Sequence, residues 1–226
     1  MVIAPTQQTG IWVLGTGKVS VEPSLAILTL GVEARAKSVE EARSQAASAM
    51  NGILGALKAN GIPDKDVQTR SFSITPHYVW RERVGPGGER SGEQVLVGYI
   101  ARSDKAVKVR KLEGVGRVID DAVKAGGDLV RVQGVHFTVE DLTPYHAKAR
   151  DLAVKDALAR AEQFSRLAGV ALGKAVYMTE VGGPMPVVRE FGIKEAMPVP
   201  APAAPTPITG GELEIQVTVQ VAFAIQ

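Results

Sequence analysis

The sequence predicts an α+β fold of antiparallel sheets covered by helices. Period-two apolar runs recur along it, most cleanly over residues 212–226. There Leu213, Ile215, Val217, Val219, Val221, Phe223 and Ile225 share one face. Three other segments carry apolar residues at helical spacing, each with an end signal such as Asn60-Gly61, Gly126-Gly127 or Gly169. Helices with one apolar stripe must cover a sheet face, so layers are the expected outcome.

The elements follow in order. Residues 11–20 and 25–35 read as strands joined at Val21-Glu22-Pro23-Ser24. In the second, Ile27, Thr29, Gly31 and Glu33 alternate with Leu28, Leu30 and Val32. Pro23 cannot donate to a ladder and belongs at a strand end or edge. Ser38 with Glu41 is a capping-box signature. It opens a helix with the stripe Val39, Ala42, Ala46, Ala49, Met50, Ile53 and Leu57, and Pro63 prevents its resumption. Residues 66–80 form a strand with Phe72, Ile74, Tyr78 and Trp80 on one face. The charged, Gly-rich segment 81–94 holds Pro86-Gly87-Gly88, a strong turn signal. The pattern returns to strand over 95–109, so 66–109 is expected to be a long hairpin with a mobile tip. A helix over 111–125 turns Leu112, Val115, Val118, Ile119 and Ala122 inward, and a strand over 129–140 follows.

The segment 143–174 is the most informative. Thr143 is expected to cap a long helix, and Pro144 suits its first turn. Its stripe comprises Ala149, Leu152, Ala153, Leu158, Ala161, Phe164, Leu167 and Ala168. So much Ala means that its packing partner comes close. A strand over 175–181 follows. The segment 182–211 then holds 7 of the chain's 13 prolines, which excludes a central strand.

From 25 to 140 the order is strand, helix, strand, strand, helix, strand, the split βαβ arrangement of ferredoxin-like folds. The long Ala-rich helix and two further strands extend it. The expected organisation is a polar spacer at 1–10, an α+β unit over 11–226, and a Pro-rich arm at 182–211. The unit divides into two subdomains, 11–92 with 212–226 and 94–181.

Composition excludes several classes. The 226 residues are enough for a sizeable core, with 45% hydrophobic and 22% charged residues. A formal net charge of +2 does not imply nucleic acid. With no Cys, disulfides, thiolate metal sites and Cys nucleophiles are removed together. No apolar run reaches the roughly 20 residues needed to span a bilayer. The start MVIAPTQQTG is too polar and short for a signal peptide, and it resembles the spacer that follows a cleavage site or anchor.

No residue pattern carries chemistry. Gly15-Thr16-Gly17 lacks the third Gly, the Lys-Ser/Thr pair and the following helix of a phosphate loop, and reads as a bulge or close backbone approach in a strand. His77, His136 and His146 do not stand at metal-ligand spacing. The pairs Asp120-Asp121 and Glu40-Glu41 diverge around a helix. No Gly-x-Ser-x-Gly elbow is present. The basic residues Arg102, Lys105, Lys108, Arg110 and Lys111 read as a solvated edge. No cofactor, metal or catalytic residue is therefore assigned. Contact candidates remain. Phe72, Tyr78 and Trp80 read as core or a subunit contact rather than a base-stacking platform, since no RNP signature accompanies them. A structureless insertion as long as 182–211 is uncommon. Its Met185, Phe191, Ile193 and Met197 mark an arm that docks on a neighbouring subunit or partner.

The ordered set of elements resembles the SIMPL domain family, long catalogued in bacteria as a domain of unknown function. The resemblance rests on Val13-Leu14-Gly15-Thr16-Gly17-Lys18-Val19 with Pro23, and on Leu30-Gly31-Val32-Glu33-Ala34-Arg35-Ala36. It continues through Leu57-Lys58-Ala59-Asn60-Gly61-Ile62-Pro63, Asp66-Val67-Gln68-Thr69 and Gly98-Tyr99. Ala168-Gly169-Val170, Leu172-Gly173-Lys174 and Gly210-Gly211-Glu212 complete it. Ser24 departs from the Asp common after the Pro. The resemblance implies a non-enzymatic, exported protein of the periplasm or cell surface, linked to stress responses and self-assembly. Its expected partners are copies of itself and an envelope protein, without nucleic acid. The readings set against it are a small-molecule or sugar-binding enzyme with a site between sheet and helices and, more distantly, an RNA-binding plait.

Overall fold

The computed structural model describes residues 9–84, 86, 90–182, 186–188, 206, 208 and 210–226. They form an α+β protein whose chain divides into two compact units. The first unit comprises Met1–Pro23, Val139–Glu195 and Gly211–Gln226; the second comprises Ser24–Thr138 and Ala196–Gly210. The expected division into 11–92 with 212–226 and 94–181 is thereby corrected. A cut at 92–94 would split a hairpin whose strands are hydrogen-bonded along their whole length.

The second unit follows the expected order. It contains β2 (Leu25–Ala36), α1 (Val39–Ala59), β3 (Val67–Val84), β4 (Arg90–Val109), α2 (Val115–Gly126) and β5 (Val130–Thr138). The sheet order is β3-β4-β2-β5, with every pair antiparallel. β2 is central, and its Ala26, Leu28, Leu30, Val32 and Ala34 are buried beneath α1 and α2. Alternation sends Ile27, Thr29, Glu33 and Arg35 to the other face. Ser38 caps α1 as expected, its hydroxyl accepting from the Glu41 amide at 3.2 Å. Ala42, Ala46, Met50, Ile53 and Leu57 are buried, whereas Val39 at the helix start is exposed. α2 starts later than expected because Leu112–Gly114 forms a 3-10 turn.

The hairpin is longer than the Gly-rich pattern suggests. β3 runs to Val84 and β4 begins at Arg90, so most of the expected turn segment 81–94 is strand. Two register shifts relieve it, between Thr69 and Ser71 and between His77 and Tyr78.

The first unit holds β1 (Ile11–Val21), α3 (Thr143–Ala168), β6 (Leu172–Glu180), β7 (Pro186–Val188) and β8 (Leu213–Ile225). Its sheet order is β1-β8-β6, with the short β7 also on β8. β1 and β2 are consecutive in the chain yet belong to different sheets, parted at Pro23. The last strand is the centre of this sheet, and Leu213 to Phe223 alternate inward.

α3 corrects the expected stripe. Its buried residues are Ala149, Ala153, Ala157, Ala161 and Ser165, one every four positions. Leu152, Leu158, Phe164 and Leu167 are exposed, Leu167 at 74%. The cause is the close approach expected at Gly15-Thr16-Gly17. A Cβ on Gly15 would stand 2.5 Å from the Ala157 nitrogen, and one on Gly17 2.5 Å from the Ala153 nitrogen. With helix and strand backbones so near, only Ala and Ser fit between them. Thr143 is the first helical residue and not the cap; its amide instead donates to Asp141 Oδ1 at 2.9 Å. Gly169 closes the helix at φ 67°, the left-handed cap expected of it.

Candidate functional site

The exposed part of the β3–β4 hairpin is the candidate site. β2 pairs with β4 only from Tyr99 to Val109. Beyond the register shift that follows His77, seven residue pairs, from Tyr78 opposite Leu96 to Val84 opposite Arg90, form a two-stranded ribbon. At about 3.3 Å per residue the ribbon is roughly 23 Å long. An isolated ribbon is marginal in water, because one face cannot bury enough apolar surface. Here it carries aromatic side chains. Tyr78 is 50% exposed and Trp80 68%, and Phe72 nearer the sheet is 59% exposed. The Trp80 indole lies over Gly92, where a Cβ would overlap the ring. Leu96, Val79 and Val97 are exposed beside it. Phe72 stands opposite Ser103 and Ile74 opposite Ala101, both buried, so this row begins on the face covered by helices and runs past their cover.

Register separates these aromatics from Arg102. Arg102 and Asp104 flank Ser103 and so point to the opposite face. There Glu33 Oε2 accepts from Arg102 Nε at 2.7 Å, and Glu33 Oε1 accepts from Arg35 at 2.9 and 3.1 Å. Those bonds, Arg102 first, hold the Glu33 carboxyl below its ordinary range. Beside them Asp104 accepts from Ser71 at 2.7 Å and from Gln133 at 2.6 Å. The single-stranded-RNA arrangement needs aromatics and cations on one face, and Phe72, Tyr78 and Trp80 do not share theirs with Arg102.

The histidines are dispersed. His77 is on edge strand β3, His136 on the opposite edge β5, and His146 on α3. Among the described residues no group of three His, Asp or Glu could hold a metal ion. The adjacent carboxylates diverge: Asp121 accepts from Asn60 at 2.8 Å, and Asp120 from the Thr206 hydroxyl at 2.8 Å. That second bond, with Ile208 packed on the core of the second unit, seats the described end of the Pro-rich arm against its own chain. Met185, Phe191, Ile193 and Met197 lie outside the described residues.

One pairing had no signal in the sequence. On the face of the first unit's sheet turned from α3, Trp12 and Tyr177 flank Ala222, with ring centroids 5.4 Å apart. Trp12 and Tyr177 come from strands that meet only through β8, so no local pattern joins them. The unpaired edge of β1 is also guarded. The Thr16 amide donates to Asp156 Oδ2 at 2.8 Å, and that bond, with Arg160, keeps the Asp156 carboxyl below its usual range. No helix among the described residues is long and apolar enough to cross a membrane.

Comparison with known proteins gives a consistent result. Residues 11–223 match the SIMPL family model, described as a protein of unknown function (DUF541). The 26 kDa periplasmic immunogenic protein of Brucella melitensis biotype 1 is 35% identical over 228 aligned positions, covering 98% of this chain and 86% of that protein. The uncharacterized protein YggE of Edwardsiella ictaluri is 31% identical over 159 positions, 70% of this chain and 62% of its own length. YggE of Escherichia coli K12 is 28% identical over 191 positions, 83% of this chain and 72% of that protein.

Proposed function

The chain belongs to the SIMPL family, and from that premise we propose that it is a non-enzymatic, self-assembling protein of the bacterial periplasm with a structural or binding role in envelope stress physiology. The observation that carries the reading is the hairpin ribbon with Tyr78 and Trp80 exposed upon it. A soluble monomer gains nothing from extending aromatic side chains on an unsupported ribbon. A second copy seated on them buries them. The periplasmic location is supported by the name of the Brucella relative. The names of the relatives describe an immunogenic protein and uncharacterized proteins and specify no reaction. The Pro-rich arm, with Phe191, Ile193 and Met197, is the second proposed contact, on a neighbouring copy or an envelope partner.

Light scattering at micromolar concentration tests the assembly. More than one subunit is expected. A species of 23.9 kDa throughout that range overturns the reading.

A further inference from the structure

A pocket of about 580 Å³ lies within the second unit, where the end of β4 meets the carboxyl end of α1 and the amino end of α2. That volume is within the ordinary range of small-ligand sites. Buried Ile62, Val109 and Val118 give it apolar walls. Its polar lining is strongly one-signed. Lys108, Arg110, Lys111 and Arg117 border it, and Asp66 is the carboxylate among its lining residues. Asp66 is already engaged by the Arg110 guanidinium, which reaches both carboxylate oxygens. Among the described residues no carboxylate stands within ion-pair distance of Lys108, Lys111 or Arg117, although Lys108 acts on Asp66 at longer range.

The amino end of α2 agrees with that sign. Near the end of α1 the carbonyls of Ala56, Leu57 and Lys58 accept from the amides of Asn60, Ile62 and Gly61. α2 continues from the 3-10 turn at 112–114, in which the Gly114 and Val115 amides donate to the Lys111 and Leu112 carbonyls, and its positive end borders the pocket at Gly114. The Asn60 amide group is held by Asp121 and the Ala56 carbonyl, which fixes the rim. The sequence pattern Lys108, Arg110, Lys111 reads as a solvated edge; the fold adds Arg117 from α2 and bends the set around a concavity.

We infer that this pocket binds a small soluble anion of the phosphate or diphosphate class, held by Lys108, Lys111 and Arg117. The concavity, walled by three elements, favours a compact anion over a flat lipid surface. Binding here is independent of assembly through the hairpin. Inorganic pyrophosphate is the probe, titrated by calorimetry at low ionic strength and followed by the amide resonances of Gly61 and Gly114. Saturable 1:1 binding with shifts at those amides is expected. The double substitution Lys111→Gln/Arg117→Gln should weaken it by about tenfold or more, with circular dichroism unchanged. A double substitution at the helix ends of the same unit that are remote from the pocket, Lys37→Gln before α1 and Lys124→Gln in the last turn of α2, should leave affinity within about twofold. Absence of saturable binding up to about 5 mM overturns the proposal, as does equal loss in the distant pair. Cosedimentation with phosphatidylglycerol vesicles that requires Lys111 and Arg117, without pyrophosphate binding, overturns it in favour of a lipid surface.

Discussion

The two units solve one packing problem in opposite ways. In the second, α1 and α2 cover β2 through large aliphatic side chains: Leu28, Leu30, Val32, Ile53, Leu57 and Val115 are fully buried. In the first, α3 lies on β1 through Ala149, Ala153 and Ala157 over Gly15 and Gly17. Side-chain volume keeps the layers apart in one, and its absence lets the backbones approach in the other. The units should therefore fail differently. A core of large residues is weakened by deletion, and a backbone contact by addition.

The largest effect is expected from Leu30→Ala, a cavity at the centre of the second unit, at about 2–5 kcal/mol of destabilisation. Peptide-level hydrogen exchange should show faster exchange in β2, α1 and α2, with less change in α3. Next is Gly17→Ala, one added carbon, at about 1–3 kcal/mol. It should instead loosen α3, β1 and β8. Equal tolerance of Gly17→Ala and a surface substitution would break the comparison, because α3 would then have room to move away. At the small end, Phe164→Ser on the exposed side of α3 should stay within about 0.5 kcal/mol in chemical denaturation.

An intermediate effect sharpens the electrostatic side. Arg110 holds the Asp66 carboxyl below its ordinary value, and Arg102 with Arg35 does the same for Glu33. A carboxyl depressed in the folded state leaves the unfolded chain binding more protons on acidification. Its stabilisation is present above the unfolded value and is lost as pH falls through the folded one. Stability of the second unit should thus decline below about pH 4. Asp66→Asn should cost about 1–3 kcal/mol at neutral pH and flatten that decline. An unchanged acid profile in the variant would show that Asp66 and Arg110 do not contribute to it.

Much of the fold was legible because local signals and tertiary packing agree. β8 alternates without interruption, Ser38 and Gly169 cap where expected, and the expected elements keep their order, with the short β7 added inside the segment read as a structureless arm. The misses arise where distance in sequence hides proximity in space. Nothing near Leu152 or Phe164 indicates that two glycines of β1 force α3 down onto its alanines, so the larger residues were expected inside. The glycines of 81–94 suggested a loop, but Gly92 serves the Trp80 ring within a strand. Of the candidate site, Phe72, Tyr78 and Trp80 were legible from alternation as one row. Their exposure depended on where β2 stops, which no pattern in β3 encodes. The basic pocket needed Arg117 from another element and was not legible.

Assembly through the ribbon is tested most directly by sedimentation velocity of the native chain beside Tyr78→Ser/Trp80→Ser, at matched micromolar concentrations. The two rings bury on the order of 3–6 kcal/mol of apolar surface if both are covered, which corresponds to two orders of magnitude or more in association. The account predicts a multimer for the native chain and a shift to smaller species for the variant, with unchanged far-ultraviolet circular dichroism. A native chain that sediments as a monomer, or a variant with the native distribution, would contradict it.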